Sequence, residues 1–215
     1  METRHYSPLD HLVMNVDQAL RTLAGKPLVT ERANPAQACV DEAELSEAEK
    51  NESIRLMRVN HCGEVAAQGL YQGQALTARL DAVRERMERA AAEENDHLDW
   101  CEQRVGELGG RLSLFNPVWY LGSFAIGAAA GAAGDKWSLG FVAETEQQVI
   151  EHLDDHLQRI SEKDVKSRAI LGQMKVDEAK HGATAIRAGG AELPQPVQRL
   201  MKLVSKIMTG TAYRI

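Results

Sequence analysis

Six residues of this 215-residue chain have the types and spacing to hold a pair of metal ions: Glu64, Glu94 with His97, Glu146, and Glu178 with His181. In each Glu-x-x-His the carboxylate and the imidazole are three positions apart, so a helix sets them one turn apart on one face. A lone glutamate precedes each pair, by 30 residues in the first copy and 32 in the second. That distance suits one helix, a turn and a return along its neighbour. Four helices would then aim four carboxylates and two imidazoles at one interior. Oxygen-rich ligation with one nitrogen per metal and no thiolate suits iron or manganese, with positions open to O₂, better than a structural zinc site. Iron is the expected metal for oxygen chemistry.

The elements that must position these groups are legible as apolar stripes at helical spacing. One runs Met87, Ala90, Glu94, His97, Cys101, Val105, Leu108, and another Leu171, Met174, Glu178, His181, Ala185, Ala188. Glu64 falls between Met57 and Tyr71, and Glu146 among Val142, Val149 and Leu153. In all four helices an ionisable group interrupts the face that should be buried. Ordinary buried ion pairs are the plain alternative at any single position, but four carboxylates in one core require a common counterion. A third Glu-x-x-His, Glu2 with His5, precedes Pro8 without helical periodicity and is read as chance. The pattern predicts an all-α chain: a ferritin-like four-helix dimetal bundle with an additional apolar crossover helix and a C-terminal amphipathic helix.

The net charge of −6 and the absence of a basic stripe argue against nucleic acid as a partner. Cys39, Cys62 and Cys101 form neither a disulfide framework nor a CxxC, which fits a reducing compartment. No apolar run opens the chain, so no signal peptide is expected. Residues 1–45 read as a short helix, capped by Ser7 with Pro8 next, followed by a wrapping linker; residues 46–215 read as the dimetal domain. Within it, a capping box at Ser46–Glu49 opens a helix to about Thr77, a second runs from about Asp81 to Leu108, a third from about Ser138 to Ile160, and a fourth from about Lys163 to Ala188.

Residues 112–134 contain no charged residue. Trp119, Tyr120, Phe124 and Ile126 lead into a run of glycine and alanine, too dilute for a convincing span. The preferred reading is an in-plane helix meeting membrane or lipid, over a buried crossover helix and a true span. After Pro194 and Pro196, Val197, Leu200, Val204 and Ile207 share one helix face and Arg199, Lys202 and Lys206 the other. A bundle-capping helix with a solvated basic face is preferred there to an anionic-lipid contact.

At these residues the chain resembles the demethoxyubiquinone hydroxylase family of ubiquinone biosynthesis, from about Asn51 to the C-terminus. The resemblance rests on Arg58-Val59-Asn60-His61-x-Gly63-Glu64, Tyr71-x-Gly73-Gln74, Glu94-Asn95-Asp96-His97-Leu98, Glu146 with Val149 and His152, and Asp177-Glu178-Ala179-Lys180-His181. It implies that Glu64, Glu94, His97, Glu146, Glu178 and His181 hold two iron ions. It also implies O₂-dependent ring hydroxylation of demethoxyubiquinol or demethoxyubiquinone, with Trp119, Tyr120, Phe124 and Ile126 toward quinone and membrane. Leu153 departs from the pattern where many relatives have tyrosine, so no role of that tyrosine transfers. The electron donor stays open between NADH and the reduced quinol. A polyprenyl quinone, the membrane surface, other ubiquinone-biosynthesis proteins and a second copy of the chain are the expected partners. The expected location is peripheral, on the cytoplasmic face of a bacterial membrane, or on the matrix side of the inner mitochondrial membrane if a presequence was removed.

Asp96, Glu93, Asp177, His152 and His61 are candidates to support the ligands from behind, each also explicable as an ordinary ion pair or solvated group. Cys62 points off the ligand face, and His5, His11 and His156 carry nothing to distinguish them from surface histidines. The rival function is a ferritin-like iron-storage or ferroxidase protein, which would have little use for the uncharged segment. A membrane quinol oxidase, a manganese catalase and a metal-free helical interaction protein are more distant alternatives.

Overall fold

A computed structural model of the protein describes residues 8–30, 32–39 and 43–215. The Ser7 cap and the Glu2–His5 pair lie outside these residues. Among the described residues there are seven α-helices and one 3-10 turn, with no strand. They are α1 (Pro8–Ala24), the 3-10 turn (Pro35–Ala38), α2 (Glu47–Thr77), α3 (Asp81–Glu107), α4 (Asn116–Ala133), α5 (Asp135–Arg159), α6 (Val165–Arg187) and α7 (Gln195–Ala212). The 3-10 turn falls in the stretch expected to be irregular linker.

Local chemistry sets the helix ends. Ser46 Oγ accepts from the Glu49 N–H at 3.3 Å and Glu49 Oε2 accepts from the Ser46 N–H at 2.8 Å, closing the expected capping box on α2. Gly109 and Gly189, at φ 73° and 99°, end α3 and α6 in the left-handed region that favours glycine. Helix α5 starts at Asp135, three residues before the expected Ser138, because the Asp135 carboxylate accepts the Arg79 and Leu80 N–H groups, each at 3.0 Å, and ties the α2–α3 turn to this helix.

Short connections make α2 with α3, and α5 with α6, neighbouring hairpins, and α3 also meets α6. The two larger apolar clusters bracket the acidic residues. One gathers Met57, Trp100, Leu153 and Met174, the other Tyr71, Met87, Val142 and Ala185. On each of α2, α3, α5 and α6 the glutamate singled out above lies between a residue of one cluster and a residue of the other. The acidic layer is therefore clamped between two dry layers.

The uncharged segment crosses between the hairpins as α4 and packs mainly on α2. Contact is backbone to backbone: a Cβ on Gly73 would lie 2.1 Å from the Phe124 carbonyl oxygen, and one on Gly127 the same distance from that of Leu70. One face of α4 is thus a buried crossover, while Val118, Leu121 and Ile126 on the other are exposed. Tyr120, expected toward quinone or membrane, is buried instead, because its hydroxyl donates to Gln72 Oε1 on α2. No helix of the described residues is long and apolar enough to cross a membrane. Helix α7 also departs from expectation. Its apolar face is not buried as a cap: Leu200 and Ile207 are 60% and 52% exposed, and Val197 and Val204 are exposed too.

The α2–α4 seam predicts that Gly127→Val forces the two helices apart and lowers stability by about 3 kcal/mol, the upper end for overpacking. Gly122→Ala, where a Cβ meets nothing within 4 Å, should be neutral or stabilising by up to about 1 kcal/mol. Urea denaturation of both variants checks the contrast; equal effects would mean that the close approach is not what holds α4.

Candidate metal centre

Helices α2, α3, α5 and α6 bring all six residues together. Glu64, Glu94, His97 and Glu178 form one group, and Glu94, Glu146, Glu178 and His181 a second, each with candidate ligand atoms within 4.8 Å of one another. Glu94 and Glu178 belong to both, so they stand between the two groups, with Glu64 and His97 on one side and Glu146 and His181 on the other. His97 Nδ1 lies 2.7 Å from Glu94 Oε2 and 3.2 Å from Glu178 Oε1. His181 Nδ1 lies 2.9 Å from Glu94 Oε1 and 3.2 Å from Glu178 Oε2. Both rings therefore aim the same nitrogen inward.

Four buried carboxylates converge here on only two imidazoles. Both Glu94 oxygens, Glu146 Oε1 and His97 Nδ1 are buried with no hydrogen-bond partner. Two like charges about 4 Å apart repel by about 4 kcal/mol at an effective dielectric of about 20. The protonation equilibria carry the strain. Burial, reinforced by the neighbouring carboxylates, pushes Glu64 and Glu146 well above the usual range. Glu94 is also buried, but its two histidines hold it below that range. Burial alone would lower His181, yet Glu178 and Glu94 lift it to about 12, and His97 is lifted well above its ordinary value chiefly by Glu94. A convergent set of buried carboxylates and imidazoles, several of whose atoms have no hydrogen-bond partner, fits divalent cations by its donor chemistry.

The outward nitrogen of each ring has its own partner. His97 Nε2 meets Asp177 Oδ2 at 3.2 Å, and His181 Nε2 meets Glu93 Oε2 at 2.8 Å. Asp96, expected to face a ligand histidine, turns away to Thr30 and Arg32. His152 bonds Ser205 Oγ on α7 at 3.0 Å, and His61 meets Asn116 Nδ2 at 3.4 Å across to α4; neither contacts the cluster histidines. His156, read as a surface residue, is buried, with Nδ1 2.9 Å from Asn60 Oδ1 and its pKa pushed down to about 4 by burial. Its apolar neighbours Val149 and Leu153 carried that signal. His5 lies outside the described residues, as does the side chain of His11. Arg32 carries no local sequence signal, because its carboxylate partners are 64 and 145 positions away.

A cavity of about 270 Å³ reaches Glu64, Glu94, Glu146 and Glu178. Its walls come from α2, α5 and α7, with Ile126 of α4, and include Leu70, Phe141, Val149, Val204 and Met208. The exposed apolar face of α7 is the outer wall of this cavity. Gly63 lines it too, and a Cβ there would touch nothing within 4 Å. A second cavity of about 560 Å³, with charged groups among its lining, lies on the α3/α6 side beside His181 and includes Arg86, Arg89, Glu93 and Lys180.

Residues 51–212 match the family model described as Ubiquinone biosynthesis protein COQ7. The chain is 61% identical, over the whole of both sequences, to the 3-demethoxyubiquinol 3-hydroxylase of Nitrosococcus oceani. It is 57% identical to the protein of that name from Stutzerimonas stutzeri and 54% to that of Pseudomonas aeruginosa, each over 99% of this chain and 98% of the relative.

The shared position of Glu178 predicts that Glu178→Ala leaves the helices intact but disables both cation positions. Anaerobic titration with Fe(II), followed by metal analysis, should give about two ions per wild-type chain and fewer than one per variant chain. Two tightly held ions in the variant would contradict the geometry.

Proposed function

Because the chain belongs to the ubiquinone biosynthesis protein COQ7 family, we propose that it is a hydroxylase of ubiquinone biosynthesis, transferring one atom of O₂ to the ring of 3-demethoxyubiquinol. The observation that carries this reading is that an apolar cavity ends on the carboxylate cluster. A quinone ring on an isoprenoid tail needs such a cavity, and an ion does not. In this reading α2, α3, α5 and α6 are a ferritin-like four-helix bundle, residues 46–215 are the catalytic domain, and residues 1–45 wrap it.

Two iron ions would be held by Glu64 and His97 on one side and by Glu146 and His181 on the other, with Glu94 and Glu178 shared. Bound there, the pair would pass two electrons to O₂, one atom entering the ring and the other leaving as water, with the electrons replaced by an external donor such as NADH or the reduced quinol. The chain's own groups do the rest. Asp177 and Glu93 accept the Nε2–H of His97 and His181, which fixes the tautomer and leaves each Nδ1 lone pair pointing inward. Phe141, Val149 and Met208 exclude water from the channel and hold the ring by contact, so the reacting carbon waits at the cluster rather than in solvent. The four carboxylates together would carry the charge that two divalent ions neutralise.

The tail leads outward to a surface suited to lipid. The exposed apolar faces of α4 and α7 flank the cavity, and α7 carries Arg199, Lys202 and Lys206 with no acidic residue in a chain of net charge −6. Such a face would sit peripherally on an anionic bilayer, its basic residues at the headgroups. Iron storage, the alternative, leaves this surface and the apolar cavity without a purpose.

Leu121→Asp on the exposed face of α4 should reduce flotation with anionic liposomes while leaving iron content normal. If flotation is unchanged, the lipid-facing reading of α4 is wrong. Cells lacking the protein should accumulate demethoxyubiquinone; the wild-type gene should restore ubiquinone, whereas Glu64→Ala or His181→Ala should not. In vitro, ¹⁸O₂ should label the new ring hydroxyl. An unchanged quinone pool in the deletion strain, with a purified protein that mineralises iron, would instead favour storage.

A further inference from the structure

Two buried carboxylates beside the cluster, Asp96 on α3 and Asp177 on α6, do not point into it, and one guanidinium meets both. Arg32, in the stretch between α1 and the 3-10 turn, donates Nε to Asp96 Oδ2 at 2.5 Å, Nη1 to Asp177 Oδ2 at 2.8 Å and Nη2 to the Glu93 carbonyl at 3.2 Å. Thr30 adds its N–H to Asp96 Oδ1 at 2.6 Å and its hydroxyl to Oδ2. Asp177 Oδ2, the atom that holds Arg32, is also the acceptor for His97 Nε2. A second contact reaches the same ring: the Arg32 guanidinium lies 5.2 Å above Trp100, whose ring is 5.4 Å from that of His97. Each helix carrying a Glu-x-x-His pair is thus gripped, one residue before a ligand, by a segment that lies outside the 51–212 family match.

We propose that Arg32 is a positioning residue of the metal centre: anchored with Thr30, it straps α3 to α6 and sets the Asp177 carboxylate so that His97 presents Nδ1 to the metal. The inference rests on the ligand reading above. Its physical basis is a competition for Asp177. Gln173 and Lys180 hold Oδ1 at 3.1 and 3.2 Å, and the Lys180 side chain is 67% exposed. Those two bonds draw the carboxylate along α6 by Oδ1, whereas Arg32 holds Oδ2 where it meets His97 Nε2. Without the guanidinium, Asp177 follows Lys180, and His97 loses the acceptor that fixes its tautomer. Asp96, whose side chain has no exposure, is left without its cation. Lysine cannot replace this fork, because one ammonium does not span two carboxylates in the same plane.

The test uses full-length protein loaded with Co(II), so that no turnover intervenes. Two readouts apply: metal release to excess chelator, and the paramagnetically shifted, exchangeable imidazole N–H resonances. Wild type should bind two ions and show two slowly exchanging N–H signals, from His97 and His181. In Arg32→Ala, the His97 signal should be lost to exchange while that of His181 persists, and one ion should leave 10- to 100-fold faster. Arg32→Lys should fall between the two. Asp177→Asn, which keeps the side chain's shape, should lose the same signal, and it serves as the test if Arg32→Ala fails to fold. Both N–H signals and both release rates unchanged in a folded Arg32→Ala, or in Asp177→Asn, would overturn the proposal and leave the strap a purely mechanical tie. Wild type that binds no Co(II) would instead remove the ligand reading on which it rests.

Discussion

Mutual repulsion among four buried carboxylates is the constraint on which the rest of the structure depends. Glu64, Glu94, Glu146 and Glu178 are each less than 5% exposed, and an apolar core surrounds them above and below. Such a layer is unfavourable for folding by any route except protonation or cation binding. Burial and like charges push the Glu64 and Glu146 carboxyls up, and the carboxylates push both imidazoles up, which is the direction of the first route. Divalent ions provide the second, and they alone leave the imidazole lone pairs free to ligate. The tight packing on either side serves the same end, because helices that could relax apart would let water relieve the repulsion and disperse the ligands.

The two sides of the centre are built for different matter. On the α2/α5/α7 side the walls are apolar and the cavity reaches the carboxylates. On the α3/α6 side the surroundings are charged: Asp177 and Glu93 meet the outward nitrogens of the imidazoles, and Arg32 donates to Asp177 behind them. This division follows from the ligand spacing. A Glu-x-x-His helix brings an imidazole whose far nitrogen needs an acceptor, so α3 and α6 must be backed by polar groups. The lone-glutamate helices α2 and α5 bring no such requirement and can face an apolar space.

The convergence of the six side chains was legible in the sequence, because periodicity reports which face of a helix is buried and these residues interrupt four such faces. Helix ends were legible where local chemistry sets them, as at Ser46 and Gly109, and misjudged where a distant partner does, as at Asp135, whose carboxylate serves the α2–α3 turn. Residues with long-range partners stayed hidden for the same reason. Nothing near Arg32 marks it as a clamp, and nothing near Tyr120 says that its hydroxyl will find Gln72. His156 looked like a surface residue only because its ring, unlike a carboxylate, can be buried neutral at modest cost.

Helix α7 shows why amphipathic pattern and burial are separate questions. Its periodicity is strong, and in a bundle-capping helix the apolar face would turn inward. Here Met201 and Met208 reach the cavity, Ser205 is bonded to His152, and Leu200, Leu203 and Ile207 remain in the open. A tighter dock would close the cavity over the carboxylates and gain apolar burial of about 25 cal/mol per Å². The chain forgoes that gain, and α4 does the same on the other rim, where its glycines settle one face on α2 and leave Leu121 exposed. Two helices that each withhold an apolar face, and that both line one apolar cavity, are explained together if the cavity and its rim serve one amphiphile: the ring goes in and the tail stays with the rim.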